Sequence, residues 1–254
     1  MKYCLLTILC LLSSSNATAS GRNYKLQEVV YSKEHSLKGY LAIPEGKGPF
    51  PAVIYHHGGL GNRVGGKPKE TSIALAQAGY VGFSPLRRKT RPMRDAVEDA
   101  RAAMAFLRTL RDVDPDRLGI LGFSRGGHIA FYNGANNPNV KAMVIMACAP
   151  GRSNRGEFFA KVRQAKAPTL LLVAENDNEW TDHVALIKKI RQMLHGDGNN
   201  AKLIVYPPYK RDGHRMFFEI GDYWKDVVKF LEQNIGFADV PDAGELVGWP
   251  VLPP

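Results

Sequence analysis

The sequence predicts an α/β protein: a mostly parallel central sheet flanked by helices on both faces, with a small cap at most. Three observations carry this. Residues 52–56, 118–123 and 169–174 are short, largely apolar runs, the first set between Pro51 and the glycines at 58 and 59, as in buried strands. Between such runs, apolar side chains recur at three- and four-residue steps, as in helices that bury one face. The chain of 254 residues is 44% hydrophobic and 23% charged, enough for a full core and unlike a disordered, collagenous or coiled-coil chain.

The elements follow in order. Residues 1–19 are a different material: Lys2, an apolar stretch over 4–12, then Ala17-Thr18-Ala19, which fits a small-x-small cleavage pattern. The stretch is too short to span a bilayer. It predicts a signal peptide cut after Ala19, a secreted or periplasmic protein, and no stable membrane insertion after cleavage. Cys4 and Cys10 leave with it, so Cys148 stands alone and no intrachain disulfide can form. A catalytic domain is expected over 20–236 and a surface tail over 237–254. Strands are predicted at 26–31 and 37–43, where β-branched and aromatic residues gather. A helix over 69–78 stops at Gly79, and a buried strand follows at 80–83. Ala96, Ala100, Ala103, Met104 and Leu107 mark an amphipathic helix within 92–110, with Pro92 suited to its first turn. A strand at 118–123, a helix at 125–132 and a strand at 142–147 come next. Between Cys148 and Pro168 there is room for a small cap only, in which Phe158 and Phe159 line an acyl pocket or belong to the core. The chain then alternates: strand 169–174, helix 183–194, strand 201–206, helix 223–234.

Thirty-four Lys and Arg against 24 Asp and Glu give a net charge of +10. Such an excess suits nucleic acid, an acidic surface or an anionic substrate. The chain carries neither zinc-finger spacing nor an RNA-binding aromatic motif, so nucleic acid is not expected as a partner.

The strongest chemical signal is Gly122-Phe123-Ser124-Arg125-Gly126, set between a predicted strand and a predicted helix. A serine at such a turn stands on a tight elbow at the sheet edge, and the amide of Arg125 opens the helix N-terminus, where negative charge is stabilised. A serine hydroxyl needs a base held by a third group. Of seven histidines, His214 lies between the last strand and the last helix, where the order Ser, acid, His puts the base. The others suit other roles: His128 packing, His56 a strand end, His195 a helix end, His35 and His183 the surface. The acid belongs after strand 169–174. Glu175, Asp177 and Glu179 are candidates, with Asp177 placed best, while Asp182 suits a helix cap. After strand 52–56, His57-Gly58-Gly59 supplies a flexible loop whose Gly59 amide can partner that of Arg125 in an oxyanion hole. His57 is expected to orient this loop or touch substrate.

With these residues in place, the chain resembles the α/β-hydrolases, most of all the dienelactone hydrolase-related branch that shades into the prolyl oligopeptidase catalytic domain. The matching stretches are 52–61, 114–130, 170–177 and 213–217, and the likeness spans about residues 24–236. It implies a serine esterase of the carboxylesterase or dienelactone hydrolase type. The triad would be Ser124, Asp177 and His214, with an oxyanion hole from Gly59 and Arg125, and with no metal or organic cofactor. Dienelactone hydrolase itself uses a cysteine nucleophile, so Ser124 points to a broader ester hydrolase. The prolyl oligopeptidase relatives carry a large propeller for which this chain has no room.

Residues 87–94 hold five basic side chains in eight, at the same sheet edge as Ser124. Arg87 and Arg88 are candidate ligands for a substrate carboxylate, the alternative being a solvated loop paired with Asp95, Glu98 and Asp99. The expected partner is a small-molecule ester of small or medium acyl length, with an anionic group one option. A serine peptidase, an acyltransferase, and a non-catalytic binding protein with this fold are the other readings. Oligomeric state and substrate identity stay open.

Overall fold

Alternating side chains over residues 24–44 build an antiparallel pair, β1 (Tyr24–Ser32) and β2 (Leu37–Pro44). The apolar runs that follow become β3 (Phe50–His56), β4 (Val81–Pro85), β5 (Val113–Phe123), β6 (Val140–Met146), β7 (Thr169–Ala174) and β8 (Ala201–Tyr206). They form one 8-stranded sheet in the order β1-β2-β4-β3-β5-β6-β7-β8. β2 meets β4 antiparallel, and every pairing from β4 through β8 is parallel. The computed structural model describes residues 21–151, 155–178 and 181–237. The expected signal peptide, Glu179 and the tail from 238 onward lie outside the described residues. Among the described residues no helix is long and apolar enough to cross a membrane.

The helices are α1 (Pro68–Gln77), α2 (Met93–Arg108), α3 (Arg125–Gly134), α4 (Arg155–Gln164), α5 (His183–Gly196) and α6 (Trp224–Ile235). Strand alternation sends Ala52, Ile54, Leu118 and Ile120 to one face, where they pack with Leu107 of α2, Phe131 of α3, Phe158 of α4 and Ile190 of α5. Val53, Tyr55, Leu121 and Phe123 point to the other, against Leu75 of α1 and Trp224, Val227 and Leu231 of α6. The sheet is thus covered on both sides, as its apolar runs require. Two expectations are refined. Pro92 caps α2 from outside, with extended backbone, rather than sitting in its first turn. The segment after Cys148 lays α4 between α3 and α5, and Phe158 is fully buried among Phe131 and His128. Phe158 is therefore core, and its helix is a wall of the sheet face. Because the central strands run parallel, the loops after β3, β4, β5, β7 and β8 all emerge at one edge.

Candidate active site

β5 ends at Phe123, and the chain turns at once into α3 through Ser124, whose backbone takes φ 54°, ψ −120°. A non-glycine residue in that region is strained and must be held by its surroundings. Three backbone hydrogen bonds do so: Ser124 N–H donates to Met146 O (2.9 Å), and Ser124 O accepts from Gly127 N and Ala149 N (3.0 Å each). The neighbouring glycines are steric necessities. A Cβ on Gly122 would lie 2.5 Å from Gly126 O, and one on Gly126 would overlap His56 O. Strand and helix could not approach this closely with larger residues.

His214 sits in a short 3-10 turn, Gly213–Phe218, after β8. Asp212 Oδ1 accepts from its amide at 2.9 Å, and its ring lies 4.9 Å from that of Phe123. Gly213 lets this turn press on the loop after β7, since a Cβ there would stand 2.6 Å from Asp177 N. A second device, which the sequence reading missed, joins the same loops: Asn176 Oδ1 accepts from Tyr209 N (2.8 Å), and its Nδ2 donates to Lys210 O (3.3 Å).

The structure brings three of the candidate residues to one point. His214 Nε2 is 2.9 Å from Ser124 Oγ, and His214 Nδ1 is 3.0 and 3.2 Å from the two oxygens of Asp177. All three are buried, and Ser124 keeps 9% of its surface exposed, enough to be reached. Burial pushes the Asp177 carboxyl up, but contacts from His183 and His214 outweigh it and hold the group below the usual carboxylate range. Asp177 is thus an anion, and an Nδ1–H on His214 that faces it leaves a lone pair on Nε2 toward the hydroxyl.

His183 is the site residue that the sequence reading misplaced. Expected at the surface, it is 1% exposed, lies 2.8 Å from Asp177 Oδ1 through Nδ1, and stacks on His214 at 4.9 Å. It is the first residue of α5, fixed there because Asp182 Oδ1 caps the helix on Ala185 N at 2.8 Å. Donor atoms of Asp177, His183 and His214 all lie within 4.8 Å of one another, the one cluster of metal-ligand type among the described residues. His214 Nδ1 is hydrogen-bonded to the carboxylate, whereas His183 Nδ1 lies close to it without a directed hydrogen bond.

The loop after β3 runs beside the serine: a Cβ on Gly58 would be 3.1 Å from Ser124 Cβ. Gly59 has φ +84° and no room for a side chain against Arg63 O, so only glycine serves there. His57 Nδ1–H donates to Gly58 O at 2.6 Å, and burial holds its ring neutral by lowering its pKa. Arg87 is half-buried and turned inward. Its guanidinium donates to His57 O (2.7 Å) and to Gly58 O and Gly59 O (3.3 Å each). Arg88 is tied to Asp99 at 2.6–2.8 Å through its amide and guanidinium. The Arg125 side chain reaches Arg91 O at 2.7 Å, while its amide opens α3 beside Ser124. Arg87, Arg88, Arg125, His57 and Gly59 together line a cleft of about 100 Å³. A larger cavity, about 350 Å³ around Lys25, Phe50 and Asp112, lies at the start of β3 and is remote from this edge. Cys148 is fully buried, which pushes its thiol far up and leaves no thiolate for chemistry.

The model of the dienelactone hydrolase family matches residues 37–214, from β2 to the histidine beside Ser124. The chain belongs to this family. Among curated relatives, a Methylorubrum extorquens protein with the provisional name carboxymethylenebutenolidase is 28% identical over 198 residues, covering 67% of this chain and 66% of the relative. A Synechocystis protein of the same provisional name is 30% identical over 129 residues, 42% of this chain and 51% of its own length. The chain thus spans between half and two thirds of these relatives. A Bacillus subtilis protein named as an uncharacterized peptidase is 34% identical over 98 residues, 36% of this chain and 38% of its own length. Solved structures share the fold. A Klebsiella pneumoniae structure provisionally described as a dienelactone hydrolase has TM-score 0.64 at 21% identity, covering 84% of this chain and all of that one. The thermophilic carboxylesterase EstE1, from a metagenomic library, has TM-score 0.64 at 18% identity over 82% of this chain and 87% of its own. The fold is that of the α/β-hydrolases, as the strand order requires.

Proposed function

We propose that this member of the dienelactone hydrolase family hydrolyses carboxylic esters of small and medium acyl groups through an acyl-enzyme on Ser124. The observation that carries the reading is the 2.9 Å contact between Ser124 Oγ and His214 Nε2, made by a ring whose other nitrogen meets a buried carboxylate. Ser124 Oγ attacks the ester carbonyl carbon while His214 Nε2 takes the hydroxyl proton. Asp177 holds the ring and stabilises the imidazolium. The tetrahedral oxyanion accepts from the amides of Gly59 and Arg125, donors each worth about 10²- to 10³-fold. Arg87 supports that assignment. In a trans peptide the C=O and the following N–H point opposite ways, so a Gly58 carbonyl drawn to Arg87 turns the Gly59 amide away from it. Collapse expels the alcohol, which takes the proton from His214. Water then attacks the acyl carbon by the same route and releases the acid.

The relatives named carboxymethylenebutenolidase favour an ester substrate. The Bacillus relative named as a peptidase favours a second reading, in which the same acyl-enzyme forms from an amide. Turnover of p-nitrophenyl acetate against a small aminoacyl amide separates them, and absence of any ester turnover in folded protein contradicts the first. We further propose that the protein acts after export. Sequencing the N-terminus of the mature protein should then begin at or within a residue or two of Ser20.

A further inference from the structure

We propose that His183 is a positioning residue that holds the proposed catalytic carboxylate, Asp177, from a second direction beside His214. The proposal rests on the esterase reading for what it does to turnover, and on geometry alone for what His183 touches. Asp177 is 0% exposed, so its charge is held wholly by protein groups. His214 Nδ1 meets both of its oxygens, and His183 Nδ1 meets Oδ1 at 2.8 Å. At that separation an unprotonated ring nitrogen would set its lone pair against a carboxylate lone pair. A proton on Nδ1 turns that repulsion into attraction. The approach falls short of a directed hydrogen bond, and the ring also lies over His214, 4.9 Å away at 35°. The backbone ties the same residues again: His183 N donates to Asp177 O at 3.1 Å.

These constraints act together. A carboxylate with one partner can swing about its terminal torsion, which is soft. The His183 ring close against Oδ1 and its backbone N–H on Asp177 O limit that swing, and the same ring, tilted over His214, limits the movement of its imidazole. The line from Asp177 through His214 to Ser124 then holds its length without substrate. Outer partners of this kind are worth roughly 10- to 100-fold when removed.

The test uses the full chain and four variants: His183→Leu, which removes the donor; His183→Asn, whose amide can stand near Nδ1; Asp177→Asn; and the double variant His183→Leu/Asp177→Asn. With p-nitrophenyl acetate, His183→Leu should lose about 10- to 100-fold in kcat with KM within about twofold, and His183→Asn should recover most of it. In the Asp177→Asn background the Leu exchange should cost less than about twofold, since the residue it acts through has been changed. An equal loss in both backgrounds, or no rescue by Asn in a protein that melts like the parent, overturns the proposal. A second measurement needs no turnover. Nitrogen-15 spectra of labelled histidines should show His183 carrying its proton on Nδ1, and a bare Nδ1 contradicts the assignment. If Ser124→Ala kept wild-type turnover, the esterase reading would fail alone, and the spectra would still decide His183.

Discussion

Two groups of polar side chains leave the same edge of the sheet, and they use their charge in opposite ways. After β5, β7 and β8, the side chains of Ser124, Asp177 and His214 converge at 2.9–3.2 Å, with each partner supplied by a different loop. After β4, the basic run that begins at Arg87 turns back on its own scaffold. Arg87 binds three carbonyls of the loop after β3, and Arg88 binds the buried carboxylate of Asp99. In the first group His214 Nε2 faces the Ser124 hydroxyl at 2.9 Å. In the second, Arg87 turns both terminal nitrogens, and Arg88 its Nε and Nη2, to acceptors within the protein. A count of charges in a loop therefore says little about binding until the internal acceptors have been counted as well.

The comparison can be broken at several points. The largest expected effect is in the first group: Ser124→Ala should lower kcat on the order of 10⁴- to 10⁶-fold with the fold intact, and Asp177→Asn about 10⁴-fold, both read with p-nitrophenyl acetate. In the second group, Arg87→Met should lower kcat roughly 10- to 100-fold and leave KM within about twofold, because a loosened loop no longer aims the Gly59 amide. If Arg87 instead grips the substrate, KM rises and kcat holds, and the contrast between the two regions disappears. Arg88→Ala should cost about 2–3 kcal/mol in urea unfolding, since it strips the guanidinium from the Asp99 carboxylate, whose side chain is 0% exposed. Its kcat/KM should stay within about twofold of the parent.

The last effect concerns acid. Burial, with help from Arg125, lowers His128 to about 4. The unfolded chain takes up that proton near the ordinary histidine value of about 6.5, before the folded one does, so stability falls as pH drops from about 6.5 to 4. Both ring nitrogens of His128 lack partners among the described residues. His128→Phe should flatten that slope by up to about 1.4 kcal/mol per pH unit, leaving the part due to His56, which burial lowers to about 3, and to His57, which burial also lowers. An unchanged slope would show that His128 is not enclosed.

What could be read from the sequence follows from how local each signal is. The glycines around Ser124 and the apolar runs of β3, β5 and β7 speak for themselves, because chain direction and side-chain size alone dictate a tight strand-to-helix turn in a buried sheet. His183 could not be read this way. It opens an amphipathic helix next to a polar cap, which on its own looks exposed, and only the return of that helix over the loop after β7 buries it. Arg87 failed to announce its role for a similar reason. Its acceptors lie 28 to 30 residues away, on a neighbouring strand's loop. The Asn176 staple to Tyr209 likewise crosses between two loops. Asp177 and His214 could be placed because each follows a strand in the expected order, whereas the contacts of His183, Arg87 and Asn176 follow no such order.

The central claim is that the hydroxyl at the elbow is activated by the histidine it touches. Treating folded protein with a fluorophosphonate and mapping the adduct by mass spectrometry tests this most directly. Rapid labelling of Ser124 that is lost in His214→Ala is the expected result. An unmodified Ser124, or labelling that proceeds equally without the imidazole, would contradict the account.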